Sequence, residues 1–310
     1  MNERLLPSEL IVNPDGSCFH LHLRPEQIAE KIILVGDPGR VAVVASHFSE
    51  VECEVSNREF KTVTGTYKGK RLSVISTGIG CDNIDIVINE IDALANIDFE
   101  TRQIKPVIRS LEIVRIGTCG GLQPETPEGT FVASVKSIGF DGLLNFYAGR
   151  DEVCDLPLER EFLKAMQWTG NQCIAHPYVA AASEELVERI AKDDMVRGIT
   201  IACGGFYGPQ GRKLRVPLAD PKQNEKIERF EFDGMKITNF EMESSAVAGL
   251  SLLMGHKALT CCMVIANRVA GKANVNYKES IDTLITKVLD RINIIIPDQQ
   301  MAISFLCFAQ

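Results

Sequence analysis

Several short stretches of this sequence carry residues that could bind an anion or a flat polar ring. The first reads Ile113-Val114-Arg115-Ile116-Gly117-Thr118-Cys119-Gly120-Gly121. Apolar residues surround one arginine and the run breaks into glycines, which is how a buried parallel strand ends in a backbone-exposing turn. Glycines let backbone approach a ligand, Thr118 brings a hydroxyl, and an arginine buried at a strand end needs an anionic partner. Oxyanion binding is the chemistry this set can perform. A surface arginine before an ordinary glycine turn is the alternative.

Gly36-Asp37-Pro38-Gly39-Arg40 follows the apolar run Lys31–Val35 and opens a helical pattern with Val41, Val44, Ala45 and Phe48. Backbone N–H groups at such a helix start favour an anion, and Arg40 there opposes the helix dipole unless something negative sits nearby. Arg58, in Asn57-Arg58-Glu59-Phe60, stands at the entrance of a hairpin pattern, Thr62–Tyr67 and Arg71–Thr77 around Lys68-Gly69-Lys70. Beyond the run Gly198–Ala202, the stretch Gly204-Gly205-Phe206-Tyr207-Gly208-Pro209-Gln210-Gly211-Arg212 offers an aromatic pair, an amide and a guanidinium. That set can stack on a planar heterocycle and hydrogen-bond its edge, although a solvated loop reads the same way. Glu241-Met242-Glu243-Ser244 joins the short strand Lys236–Asn239 to a helix carrying Val247, Leu250, Leu253 and Met254. Two carboxylates there are costly if buried unless they accept hydrogen bonds, which sugar hydroxyls can donate; otherwise they favour the positive helix end. Two further motifs are weaker. Phe19-His20-Leu21-His22-Leu23 alternates as an extended segment with both histidines on one face, but no ligand spacing follows, so no metal is expected. Thr77-Gly78-Ile79-Gly80 lacks the third glycine of a dinucleotide fingerprint, and no cofactor is expected either.

Strands and helices alternate around these motifs. Helical spacing recurs in Ile84, Val87, Ile88, Ile91, Leu94 and Ala95, in Leu158–Trp168, from Ser183 as N-cap to Lys192, and in Ile281, Leu284, Ile285, Val288, Leu289 and Ile292. Thr130–Val135, Val179–Ala182 and Leu259–Ala266 read as further strands, and Asn96–Ser110 as a polar insertion. The expectation is an α/β fold: a mostly parallel or mixed central sheet flanked by helices, with the reactive residues after strand ends. One domain is expected over 1–310, with a core at 17–296 and a short apolar tail at 297–310, because no linker or composition break divides the chain.

Composition narrows the partners. The 310 residues are 45% hydrophobic and carry a formal net charge of −8, which argues against nucleic acid or an anionic membrane surface and for small substrates. The 10 cysteines show no metal or disulfide framework and read as buried thiols of a reducing cytoplasm. No signal peptide or membrane-spanning run is recognised.

Taken in order, Gly36–Arg40, Arg58-Glu59-Phe60, Arg115–Thr118, Phe206–Arg212 and Glu241–Ser244 resemble the nucleoside phosphorylase family, and within it the uridine-cleaving branch. The likeness runs from Phe19 to Ile292. It implies that Gly36, Arg40, Arg115 and Thr118 hold phosphate, with Arg58 supplied by a neighbouring subunit. It implies that Met242, Glu243 and Thr118 hold ribose together with the neighbour's His20. Phe206, Gln210 and Arg212 would read uracil, with Glu241 and Arg268 close by. Phosphate is then a co-substrate, and the assembly a homo-oligomer with shared sites. Catalysis falls to Arg115, Glu243, Gln210 and Arg212, in nucleoside salvage.

The implied chemistry follows from charge. Breaking the glycosidic bond leaves the ribose oxocarbenium-like and the base anionic, so phosphate must meet C1′ while donors stabilise the departing ring. The sequence departs from the family pattern at Cys119, at Cys81-Asp82-Asn83 and in the insertion. Some relatives hold a monovalent cation at an interface near the position of Glu59, and Cys81–Asn83 counts against one here. A purine nucleoside phosphorylase is a rival, but the aspartate it needs after the last apolar strand is replaced by Asn267-Arg268. A hydrolytic nucleosidase has no use for phosphate arginines. A silent nucleoside-binding protein is the rival from another class.

Overall fold

The computed structural model describes residues 4–168, 176–267, 271–273 and 278–294. Its strands are β1 (Lys31–Val35), β2 (Glu50–Asn57), β3 (Phe60–Tyr67), β4 (Lys70–Ser76), β5 (Ile97–Asp98), β6 (Gln103–Ile104), β7 (Glu112–Gly121), β8 (Phe131–Gly139), β9 (Tyr178–Ala181), β10 (Val196–Ala202), β11 (Glu231–Phe232), β12 (Met235–Glu241), β13 (Lys257–Asn267) and β14 (Lys272–Ala273). The α-helices are α1 (Pro38–Ala45), α2 (Cys81–Asn96), α3 (Arg150–Val153), α4 (Leu156–Met166), α5 (Glu184–Ala191), α6 (Gln223–Arg229), α7 (Ser244–Leu253) and α8 (Lys278–Ile292).

Among the described residues, 12 strands form one mixed sheet in the order β11-β12-β10-β8-β13-β7-β1-β4-β3-β2, with β9 on β8 and β14 on β13. The pairs β1–β4, β1–β7, β7–β13, β8–β10 and β10–β12 are parallel. A further antiparallel pairing, Asn239 with Gly121 and Phe240 with Gly120, brings β12 back onto β7. The strands β7, β12, β10, β8 and β13 thereby close into a ring, and the strand ends inside it are drawn together.

The period of two along β1 and β7 separates two cores. Ile33, Val35, Val114 and Ile116 pack with α1, α5 and α8, while Ile32, Leu34 and Ile113 pack with α2 and α7. Arg115 shares the parity of Ile113, which turns it toward the start of α7. The sequence spacing that marks α8 buries Ile281, Leu284, Ile285, Val288, Leu289 and Ile292, each worth roughly 1.5–3 kcal/mol.

Local chemistry moves several expected boundaries. Helix α4 begins at Leu156, two residues before the expected Leu158, because the Asp155 carboxylate accepts from Leu158 N at 3.0 Å with Pro157 in the first turn. The expected insertion contains the small hairpin β5–β6, with Ile97 paired to Ile104. Phe19–Leu23 is a turn, not an extended segment, and its histidines do not share a face. Glu90 of α2 causes this: its carboxylate accepts from the backbone N–H of His20 at 2.9 Å and of Leu21 at 2.8 Å, folding the chain so that His22 takes φ 53 and Leu21 and Leu23 are buried. The edge strand β2 was not among the expected elements, although Val51, Cys53 and Val55 alternate with Glu50, Glu52 and Glu54 at the period of a strand.

Candidate active site

A cavity of about 1000 Å³ opens at the C-terminal ends of the central strands, where α/β sheets bind ligands. Gly36 and Arg40 reach it from the turn after β1, and Gly78 and Ile79 from the turn after β4. Arg115, Gly117, Thr118 and Cys119 come from β7, and Phe206, Gln210 and Arg212 from the loop after β10. Glu241, Met242 and Glu243 come from the junction of β12 and α7. Ten of the residues singled out in the sequence therefore meet in one space, from segments more than 200 positions apart.

Arg115 anchors the deep wall. Its Nη1 lies 3.1 Å from Glu241 Oε2 and its Nη2 pairs with Glu243 Oε2, with all three side chains almost wholly buried. Burial works against the charge on Arg115, but Glu243 and Glu241 outweigh it and raise its pKa. Burial likewise pushes the Glu243 carboxyl above its ordinary value, opposed by Arg115. Gly117 is required by this packing: a Cβ there would fall 2.3 Å from Arg115 Nη1.

Glu241, expected near the base, lines the cavity and is also engaged with the backbone beside it. Its Oε1 accepts from Ser244 Oγ at 2.6 Å, and its Oε2 from Glu243 N at 2.9 Å and Ser244 N at 3.0 Å, besides facing Arg115. Both oxygens are committed to the first turn of α7 and to the guanidinium, a cap that a carboxylate at a helix start favours. Glu243 Oε1 accepts from Gly80 N at 2.8 Å, in a turn where Gly78 and Gly80 have φ 70 and 103.

At the turn after β1, Asp37 caps α1 by accepting from Gly39 N at 2.8 Å, and Arg40 Nη1 reaches the carbonyl of Ile116 at 3.4 Å. Arg40 and Arg115 thus flank the glycine turn that ends β7. Across the cavity, the Arg212 guanidinium lies 3.7 Å from the centroid of the Phe206 ring and donates to the Phe206 carbonyl at 2.6 Å and to Gln210 Oε1. One face of the ring expected to meet the base is therefore covered by arginine.

Arg58 and His20 do not line this chain's cavity. Arg58 is exposed with φ 54 at the turn between β2 and β3, and His20 Nδ1 pairs with Glu90 Oε1 at 2.7 Å. Asn57 Nδ2 donates to the His20 carbonyl at 2.8 Å, so the two turns form one surface. Arg268 lies outside the described residues, as do the expected tail residues 297–310. Asn267, beside Arg268, donates to the Gln123 carbonyl at 3.0 Å and the Thr126 carbonyl at 2.7 Å, and is absent from the cavity lining.

Glu59, Ile79 and Asn83 also line the cavity, and none of them had been named as a contact to substrate. Among the described residues no three His, Cys, Asp or Glu side chains cluster as metal ligands would, and no helix is long and apolar enough to cross a membrane.

The chain belongs to the phosphorylase superfamily, whose family model matches residues 30–296. A uridine phosphorylase of Treponema pallidum is 35% identical over 81% of this chain and 82% of its own length. One from Thermococcus kodakarensis is 26% identical over 93% of this chain and 92% of its own. A solved Trypanosoma brucei nucleoside phosphorylase, described as showing uridine phosphorylase activity, matches with a TM-score of 0.80 at 30% identity, over 90% of this chain and 99% of that one.

Proposed function

We propose that this chain is a pentosyltransferase of the uridine phosphorylase type, which transfers the ribose of uridine to inorganic phosphate and releases uracil and ribose 1-phosphate. One observation carries the reading: the arginine and glycine turns suited to an anion share a cavity with the Met242–Glu243 turn and with the Gln210–Arg212 pair. Phosphate between Arg40, Arg115, Thr118 and the Gly36 turn presents an oxygen to C1′ of a ribose held by Met242 and Glu243. Gln210 and Arg212 donate to the uracil ring as it leaves with the bonding electrons, and no covalent intermediate with the enzyme is needed. Nucleoside salvage in the cytoplasm suits this chemistry, and the eight cysteines among the described residues are free thiols.

The working unit in this reading is an oligomer in which one subunit's Arg58 and His20 complete its neighbour's site. Their shared surface, tied through Asn57, supports delivery of both by the same partner. Uracil formation from uridine should require phosphate, with inosine cleaved poorly. Release that continues undiminished after phosphate is omitted would refute phosphorolysis. For the shared site, Arg58→Ala and Arg115→Ala subunits should each be nearly inactive alone, yet regain activity when refolded together. Mixtures that stay inactive would overturn sharing.

A further inference from the structure

Behind the cavity, outside its lining, lies a group of buried hydrogen-bonding side chains to which the proposed chemistry assigns no task. The Cys81 Sγ–H donates to the Met242 carbonyl at 3.2 Å, and its sulfur lies 3.7 Å from Ser245 Oγ. Ser245 Oγ donates to Asp141 Oδ2 at 2.9 Å. Tyr178 Oη donates to Asp141 Oδ1 at 2.9 Å, and Leu143 N to the same oxygen at 2.8 Å. Cys81, Tyr178 and Ser245 are buried.

The directions of these bonds are determined by Asp141. An ionised carboxylate only accepts, so it commits both the Ser245 and the Tyr178 protons to itself. Tyr178 Oη and Ser245 Oγ lie 3.1 Å apart with their protons turned to Asp141, and the Cys81 thiol reaches the Met242 carbonyl at 3.2 Å, closer than Ser245 Oγ at 3.7 Å. Burial, with Asp141 and Glu241 nearby, pushes the Cys81 thiol well up, which keeps it protonated and able to donate. The peptide between Met242 and Glu243 is consequently pinned at both ends. Its carbonyl is held by Cys81, and its N–H, on Glu243, donates to Glu241.

The geometry points to Cys81, Ser245, Asp141 and Tyr178 as positioning residues that brace the Met242–Glu243 turn for the sugar, without touching substrate themselves. The inference rests on the proposed ribose contacts of Met242 and Glu243. It distinguishes two parts of the cavity: the brace holds the sugar turn, whereas the Gly36, Arg40 and Thr118 positions proposed for phosphate lie on other segments, with Arg115 joining the two through Glu243.

The test compares KM values in the full-length enzyme. Cys81→Ala and Ser245→Ala should each raise KM for uridine by about tenfold, the size of one lost neutral hydrogen bond, with kcat within about twofold of the parent. KM for phosphate should rise less, because Gly36, Arg40 and Thr118 stand on other segments and Arg115 alone joins the phosphate position to the braced turn. Cys81→Ser, which keeps a donor, should restore the nucleoside KM, a rescue that simple packing does not predict. Tyr178→Phe, close to isosteric, gives a milder probe should Ser245→Ala fold poorly. Unchanged nucleoside KM in folded variants, equal rises for both substrates, or Cys81→Ser as impaired as Cys81→Ala would overturn the brace. The parent enzyme's turnover of uridine decides the functional reading separately; were inosine cleaved instead, the same comparison is made with inosine, since the sugar turn serves either base.

Discussion

Two arginines line the cavity, and the protein holds them by opposite means. Arg115 projects from the middle of β7, is 5% exposed, and meets two carboxylates anchored in the first turn of α7. Arg212 sits in a loop whose neighbours Phe206 and Tyr207 are 49% and 54% exposed, and it rests on the Phe206 ring and Gln210 of that same loop. The first arrangement is built into the sheet and cannot be altered without leaving buried charge unpaired. The second, among the partners described, leans on its own loop rather than on the sheet. In the proposed reading, holding phosphate and sugar should therefore be coupled to stability, and recognition of the base less so.

Arg115→Ala offers the hardest test of that contrast. It leaves Glu241 and Glu243 buried together, so the fold should lose about 3–5 kcal/mol in urea unfolding, and kcat/KM should fall on the order of 10³-fold. Arg212→Ala comes next: uridine phosphorolysis should drop on the order of 10²-fold while unfolding free energy stays within about 0.5 kcal/mol. Equal losses of stability from the two substitutions would erase the distinction. Gly117→Ala sharpens it from the backbone side. The added Cβ must displace the Arg115 guanidinium, so a cost of about 1–3 kcal/mol and roughly tenfold in activity is expected, both relieved if Arg115 is also removed.

The smallest effect is in the pH profile. Because burial raises the Glu243 carboxyl above its ordinary value of 4.5, the ionised form proposed to accept from ribose is lost on acidification earlier than an exposed glutamate would lose it. The acid limb of kcat/KM for uridine should lie above 4.5 and vanish in Glu243→Gln. The sign for stability is the reverse: a raised folded value means the fold binds that proton more tightly. Its contribution is full below the unfolded value and is lost as pH rises through the folded one. An acid limb that persists in a folded Glu243→Gln would assign it to another group.

Much of the site could be read before any geometry, because its chemistry is carried by short contiguous motifs. Gly36–Arg40, Arg115–Thr118, Phe206–Arg212 and Glu241–Ser244 each place the needed groups within a few residues, and the strand-to-helix pattern puts them at strand ends. Strong periodicity likewise marked α2 and α8, where burial repeats at helical spacing. The readings that shifted depended on distant partners. Glu90 is 70 positions from His20, yet its carboxylate turns Phe19–Leu23 away from the extended form. Glu241 was placed near the base by the resemblance alone, and its hydrogen bonds to the first turn of α7 and its pairing with Arg115 could not be read from its neighbours in sequence.

By itself the sequence determined the α/β class, the positions of its strong helices, and a set of anion-binding and ring-binding motifs; periodicity and residue type are local properties. Only the tertiary structure decided which motifs share a cavity, that Arg115 is clasped by two carboxylates, that Arg58 and His20 lie outside their own chain's pocket, and that Cys81 reaches the Met242 carbonyl. Those outcomes depend on closure of the β7–β12 pairing and on strand parity, which set contacts between residues more than 100 positions apart. Hydrogen-bond reach is about 3 Å, and chain order alone does not specify which distant groups come within it.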